Sequence, residues 1–365
     1  MHRALASLAL VAAIGCGKAG NQQQAASGAA AKPPASVEVG FKIGLLLPEN
    51  KTARYEAFDK PIIEARIKVL CPKCTVLYQN AQQDAAKQQT QADSLLSQDV
   101  AVLILDSVDA KAAASIVAKA KQQHVPVVAY DRFASGPIDY FVTFDNFKVG
   151  QAQAKALLDL LAKGGDTKRG PIVMLNGSIT DPNAADYKKG AHSILDGHVE
   201  IGFEADTPDW SPDKAQQEME QALTKLGPGK IIGVYAANDG MASGAIAALK
   251  GQGVTPLPPV TGQDSELAAI QRVVAGDQYM TIYKPYPDEA ETAARMAVAV
   301  ATGQKFAGET VEQVNGSGDK VPSVLLPVIA VTRETVAETI VKGGVYAVAE
   351  ICAEPVAAAC KQVGL

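Results

Sequence analysis

An α/β architecture of two doubly wound parallel-sheet lobes is expected from three features of this chain. From Phe41 onward, short β-rich runs alternate with amphipathic helical stretches. Many of the runs are apolar throughout, as in strands covered on both faces. The series also runs twice, once from Phe41 and again from Pro171. The predicted strands are "FKIGLLLP", "TVLYQNA", "AVLILDS", "VPVVAYD", "DYFVTFD", "PIVMLNG", "VEIGFEA", "IIGVYAA", "PPVTGQD" and "YMTIYKP". These are too many for one comfortable sheet. Between them, Val149, Ala152, Ala156, Leu157, Leu160 and Leu161 make one apolar stripe at helical spacing, and Met219, Ala222, Leu223 and Leu226 make another. Alternating strand and helix implies right-handed crossovers and parallel sheets. No linker rich in Pro, Gly and Ser separates the two halves.

A chain of 365 residues is long enough for two such domains. Its net charge of −5 leaves no basic footprint for nucleic acid and no polybasic membrane patch. The start is different in kind. His2 and Arg3 precede an apolar run, Ala4–Ile14, that is too short to span a bilayer. "AIGC" comes next, a small-residue site ending in Cys16, with Ala13 where a bacterial lipobox usually carries Leu. Residues 1–16 are therefore expected to be a signal peptide with lipidation at Cys16, and the protein to be exported. Residues 17–38 contain Gln, Ala, Gly, Ser and Pro with almost no large apolar side chains, which suits a flexible tether.

The remaining cysteines fall into two local pairs, Cys71 with Cys74 and Cys352 with Cys360. In an exported chain such pairs predict two disulfides. A redox role for "CPKC" is disfavoured because the motif comes after a helical stretch. A reactive thiolate is stabilised at a helix N-terminus instead.

Open parallel sheets bind ligands beyond the carboxyl ends of their strands. The residues just past each apolar run are therefore informative. Glu49, Asn50, Arg54 and Tyr55 come after "GLLLP"; Asp131 and Arg132 after "VVAY"; Asp181 and Asn183 after "IVMLNGS". Trp210, the single tryptophan, lies past "IGFEADTPD". Asn238 and Asp239 come after "GVYAA", Asp264 after "VTGQ" and Lys284 after "MTIY". Singly, each has a plain explanation: Asn238 caps a helix, or Asp131 pairs with Arg132. Together they gather Asp, Asn, Arg and Lys at one edge of both sheets, with aromatics at hand. Hydroxyl groups need such donors and acceptors, and the C–H faces of a pyranose pack on aromatic rings. The composition suits a sugar.

Enzyme chemistry finds no support in the motifs. There is no Gly-x-Ser-x-Gly elbow, and "GPGKIIG" lacks the spacing of a phosphate-binding loop. His124, His192 and His198 share no metal-ligand spacing. No metal and no cofactor is expected.

The segments "VVAYDR", "IDYFVTFDNFKVGQAQAKAL", "AANDGMASGAIAAL", "GQDSELAAIQRVVAGDQYMTIYKP" and "VPSVLLPVIAV" carry a resemblance to the periplasmic sugar-binding proteins of ABC transporters, and within them to the D-xylose binders. The resemblance runs from about Phe41 to Val331. It implies the type I periplasmic binding protein fold, with two lobes joined by three chain crossings near Asn146, Pro285 and Leu326. The lobes would be 39–146 with 285–325, and 147–284 with 326–365. By motif match the sugar contacts fall on Asp131, Arg132, Asn183, Trp210, Asn238, Asp264 and Lys284, and Arg54 with Tyr55 match a loop carrying an Arg and an aromatic residue. The rest of that loop, "PENKTARYEAFDK", departs from the pattern, as do "CPKC" and the Cys352–Cys360 tail. The implied partners are a monosaccharide, D-xylose first among them, and a membrane permease with its ATPase. The implied setting is the periplasm or outer cell surface, as a lipid-anchored monomer. A sugar sensor for a chemoreceptor or kinase, or a binder of another monosaccharide, is the alternative.

Overall fold

In the computed structural model, which describes residues 34–365, the first strands run as the apolar pattern predicts. The expected signal peptide, Cys16 and most of the 17–38 segment lie outside the described residues. The strands are β1 (Lys42–Leu47), β2 (Thr75–Asn80), β3 (Val102–Leu105), β4 (Val127–Tyr130), β5 (Tyr140–Phe144), β6 (Pro171–Asn176), β7 (Glu200–Asp206), β8 (Gly233–Ala236), β9 (Met280–Tyr283), β10 (Val311–Val314), β11 (Lys320–Leu326) and β12 (Ile329–Thr332). The helices that position the site are α1 (Lys60–Leu70), α2 (Ala85–Ser97), α3 (Ala113–Gln122), α4 (Asn146–Lys163), α5 (Pro182–Leu195), α6 (Pro212–Leu226), α7 (Asp239–Gly251), α8 (Leu267–Ala275) and α9 (Tyr286–Ala301).

The first sheet has the order β10-β11-β5-β4-β3-β1-β2, parallel except for the β10–β11 hairpin. Its central strands β1, β3, β4 and β5 are covered on both faces, which is why they read as continuous apolar runs. Ile63 and Ile67 of α1 and Ala290, Ala293 and Ala297 of α9 pack on one face. Leu95 and Leu96 of α2 and Ile116 and Val117 of α3 pack on the other. The second lobe repeats the plan. Its sheet runs β7-β6-β8, and β9 pairs antiparallel with β12. Its core gathers Val149 and Leu157 of α4, Tyr187 of α5 and Met219 of α6 around Val173, Leu175 and Val234. At Gly150, where α4 crosses α5, a Cβ would lie 2.0 Å from the carbonyl oxygen of Tyr187, so only glycine permits the approach.

The chain crosses between lobes three times: after β5 into α4, after β9 into α9, and from β11 into β12. The C-terminal segment closes a separate apolar cluster, in which Ile340, Ile351 and Cys360 pack on Ile270 and Val273 of α8. The sulfurs of Cys71 and Cys74, and those of Cys352 and Cys360, lie at bonding distance.

Three features differ from the pattern read in the sequence. "PPVTGQD" is not a regular strand, because Pro258 and Pro259 have no N–H to give to a ladder. The segment still bridges β8 and β9: Val234 N donates to Pro259 O at 2.9 Å, and Tyr279 N donates to Val260 O at 2.9 Å. With it, the second lobe reproduces the order of the first. The strands β10, β11 and β12 escaped prediction because they are edge or hinge strands with exposed, polar positions such as Glu312 and Lys320. Lastly, the ordered body begins before residue 39. Ala35 and Val37 pack on the first lobe's core, and Ala35 N donates to Ala301 O at 2.8 Å. No helix among the described residues is long and apolar enough to cross a membrane.

Candidate functional site

With the order 2-1-3-4-5, the ligand crevice of a doubly wound sheet opens where β1 and β3 diverge. The corresponding point in the second lobe lies between β6 and β8. These two edges face each other across a shared polar cavity. Its lining includes the nine side chains assigned as sugar contacts by motif match, Arg54, Tyr55, Asp131, Arg132, Asn183, Trp210, Asn238, Asp264 and Lys284, whereas Glu49, Asn50 and Asp239, also named at strand ends, are not part of it.

Arg54 and Tyr55 open a wide helical turn after β1. The Arg54 guanidinium is wholly buried and anchored on two sides. Its Nε and Nη2 donate to Asp59 at 2.9 and 2.7 Å, and Nη2 also donates to Glu289 of α9 at 2.6 Å. Tyr130 of β4 donates its hydroxyl proton to the same Asp59. Tyr286 offers its ring face at 4.6 Å. The Arg54 Nη1 has no hydrogen-bond partner in the protein and stands 3.8 Å from Asp131 Oδ1.

Asp131 occupies the left-handed backbone region, φ 54°, which costs a non-glycine residue about 1–2 kcal/mol. The strain is held by its own N–H, which donates to Val142 O at 2.9 Å, and by Thr143 Oγ1, which donates to its carbonyl at 2.7 Å. Tyr55 donates to Asp131 Oδ2 at 2.8 Å. Burial opposes the Asp131 charge, but Arg54, Lys284 and Arg132 outweigh it and hold the carboxyl below the usual range. Arg132 faces Asp181, Asp106 and Glu49.

In the second lobe two of the cavity residues cap helices. Asp181 caps α5 by accepting from Asn183 N at 2.9 Å, and Asn238 caps α7 by accepting from Met241 N at 2.9 Å. The plain reading of Asn238 as a cap is therefore realised along with its place in the cavity. Trp210, φ 53°, donates its indole N–H to Asp181 at 3.1 Å, and its ring lies over Gly177, where a Cβ would sit 2.0 Å from the indole. Asp264, φ 96°, comes after the bridging segment as Asp131 comes after β4. Lys284 Nζ reaches Asp264 Oδ1 at 2.8 Å. Asn183 donates across the cleft to the Asp131 carbonyl at 3.1 Å, and Ala53 N donates to Glu266 Oε1 at 3.3 Å, so the two edges are drawn together over the cavity. Asn146, expected at the first crossing, donates to Asn183 Oδ1 at 2.9 Å.

Asp181, named at a strand end in the sequence though not among the motif-matched contacts, also lines the cavity, and Thr52, Tyr187 and Gln263 line it without having been singled out. Tyr187 lies one helical turn after Asn183, a spacing that could have shown it. Asp106 and Ser107 follow β3 just behind the cavity, and "VLILDS" carries the same strand-end signal as "VVAYDR". Among the described residues no group of His, Cys, Asp and Glu is placed to hold a metal ion.

Two α/β lobes, three crossings and a polar cavity between them define a periplasmic binding protein. The chain belongs to that family: residues 43–305 match its periplasmic binding protein domain. Among its relatives, the D-xylose-binding periplasmic protein of Escherichia coli K12 is 34% identical over 316 residues, covering 85% of this chain and 92% of that one. The multiple sugar-binding periplasmic receptor ChvE of Rhizobium radiobacter is 29% identical over 324 residues, covering 83% and 90%. An ABC transporter solute-binding protein from Clostridium phytofermentans, solved with β-D-glucose, superposes with a TM-score of 0.78 at 26% identity, covering 85% of this chain and 99% of that one. These relatives bind solutes and are not enzymes.

Proposed function

We propose that this protein binds one monosaccharide, D-xylose first among candidates, between its lobes and presents it to an ABC transporter. The observation that carries the reading is the cavity itself. Its walls combine Arg54, Arg132, Lys284, Asp131 and Asp264 with Asn183, Asn238 and the rings of Tyr55, Tyr187 and Trp210. The charged and amide groups supply hydrogen bonds to ring hydroxyls, and the aromatics supply faces for the C–H surface. Hinge closure around a ligand is the motion known for periplasmic binding proteins. A sugar touching both edges stabilises the shut form, and permease and ATPase then distinguish loaded from empty protein.

We assign the lobes as 39–146 with 285–325, and 147–284 with 326–365. The sheet membership of β11 and the packing of α9 on the first sheet support this. We further propose that the protein is a monomer, that Cys71–Cys74 and Cys352–Cys360 are oxidised, and that Cys16 carries a lipid anchor. The last rests on "AIGC" and is tested by mass spectrometry of the native N-terminus; an unmodified chain starting elsewhere removes the anchor.

Titration calorimetry with xylose, arabinose, ribose, glucose and galactose tests the main reading. Xylose is expected to bind and a deoxy analogue to bind far more weakly, since it leaves a buried partner unpaired. Binding of none of these sugars defeats the proposal.

A further inference from the structure

Asp106 follows β3, beside Arg132, and is wholly buried. Neither of its carboxyl oxygens has a hydrogen-bond partner. Its ion-pair partner is Arg132, whose Nε stands 3.7 Å from Asp106 Oδ1, and Arg54 acts on it from farther off. The same Nε stands 3.0 Å from Asp181 Oδ2 and is aligned for a hydrogen bond with neither carboxyl. Asp106 belongs to the first lobe and Asp181, at the start of α5, to the second. One N–H of a cavity arginine is thus flanked by two acids that separate when the hinge opens. Asp181 loses little by that separation, because Asn183 N and Trp210 Nε1, both of its own lobe, stay with it. Arg132 keeps only groups of the first lobe: Asp106, the Ser107 carbonyl at 3.5 Å and Glu49 at 3.8 Å.

We propose that Arg132 exchanges carboxylate partners as the hinge moves, held by Asp106 when the lobes are apart and by Asp181 when they are shut. Asp106 is then a positioning residue: it parks the arginine in the empty protein and releases it to the closed site. The inference deepens the sugar-binding reading and rests on it.

The exchange has a proton in it. In the shut form, burial and then the nearby Asp131 push the Asp106 carboxyl well above the usual range, against the pull of Arg132 and Arg54, and Asp181 from the second lobe adds to the push. Tyr55, on the turn after β1, faces the same group. In the open form Asp181 is gone, water reaches the strand end, and Asp106 pairs with Arg132 as a carboxylate. Closure on sugar therefore takes up a proton at Asp106, and affinity falls as pH rises. Linkage sets the limit: one proton taken up weakens binding by about tenfold per pH unit. Glu266 meets the other lobe through Ala53 N, and Asp181 is itself pushed up by burial against the pull of Arg132, so each can add its own proton to the total. The difference between wild type and Asp106→Asn carries the test for that reason.

Calorimetric titration with xylose, or whichever of the five sugars binds, in buffers of different ionisation enthalpy counts protons directly. Wild type is expected to take up protons near pH 7, and Asp106→Asn to take up about one fewer per sugar. The variant lacks the competing ion pair in the open form, so its affinity is expected to fall less between about pH 5.5 and 8.5 and to exceed wild type most at the upper end. Asp106→Ser serves the same purpose should the Asn variant fail to fold. Sugar binding with no proton uptake by wild type overturns the exchange without any variant, as does an unchanged proton count in Asp106→Asn. Absence of sugar binding by wild type instead overturns the sugar reading itself.

Discussion

Where the first lobe meets the cavity it does so with charge. Arg54, Asp131 and Arg132 sit in a buried ionic network with Asp59, Glu289, Asp106 and Glu49. The second lobe meets it mainly with Asn183, Asn238, Gln263 and Trp210, held by helix caps and by Gly177 beneath the indole, and adds two acids, Asp181 beside Arg132 and Asp264 paired with Lys284. The topology is the same on both sides, and Asp131 and Asp264 occupy equivalent places after the fourth segment of each sheet, both with positive φ. A repeated fold therefore supplies equivalent positions without supplying equivalent chemistry. Arg54 is fixed by partners within the first lobe and its returning helix α9, so it keeps its geometry when the hinge opens, whereas Arg132 has its nearest acid, Asp181, on the second lobe.

The sharpest way to break this contrast is Arg54→Met. It leaves Asp59 and Glu289 buried without their cation. Removing one member of a buried pair costs about 3–5 kcal/mol, so urea denaturation is expected to show a loss on that scale. A loss under about 1 kcal/mol means that the first-lobe network is not structural. Next is Asp131→Ala, which is expected to weaken sugar binding by about 2–3 kcal/mol by removing a charged acceptor while the fold survives. Calorimetry showing wild-type affinity in this variant means that the site is misplaced within the right family.

On the second lobe the effects are smaller. Trp210→Ala is expected to weaken binding by about 1.5 kcal/mol through lost stacking. Gly177→Ala should do so as well, because the added Cβ pushes the indole aside. Equal affinity in both variants removes the ring from the ligand's surroundings. The last effect concerns pH and acts on stability rather than on sugar binding. Burial, then Asp239 and Asp264, push Glu266 up to about 8. A carboxyl whose folded pKa lies above its unfolded value near ~4.3 makes the folded state bind more protons than the unfolded state in between, so stability declines as pH rises through that window. Thermal denaturation of Glu266→Gln should decline less between about pH 5 and 8 than wild type. Parallel curves rule out Glu266 as the source.

Much of this was legible in the residues. A parallel strand covered on both faces must be apolar throughout, so "VVAY" and "IVML" announce themselves, and a residue placed just after such a run lies at the ligand-binding edge whatever packs around it. That logic reaches Asp131, Arg132, Asn183, Asn238, Asp264 and Lys284. It does not reach edge strands such as β10, whose polar face carries no burial signal, or Gln263, which nothing local marks out from its neighbours. Least of all does it reach the pairings. Arg54 meets Glu289 across 235 positions of sequence, and Arg132 stands between Asp106 and Asp181 on different lobes. Those partners are chosen by the crossing of helices and the meeting of two lobes. Burial in that meeting, which penalises every charge that lacks a partner, then sets which carboxyl is ionised and which holds a proton.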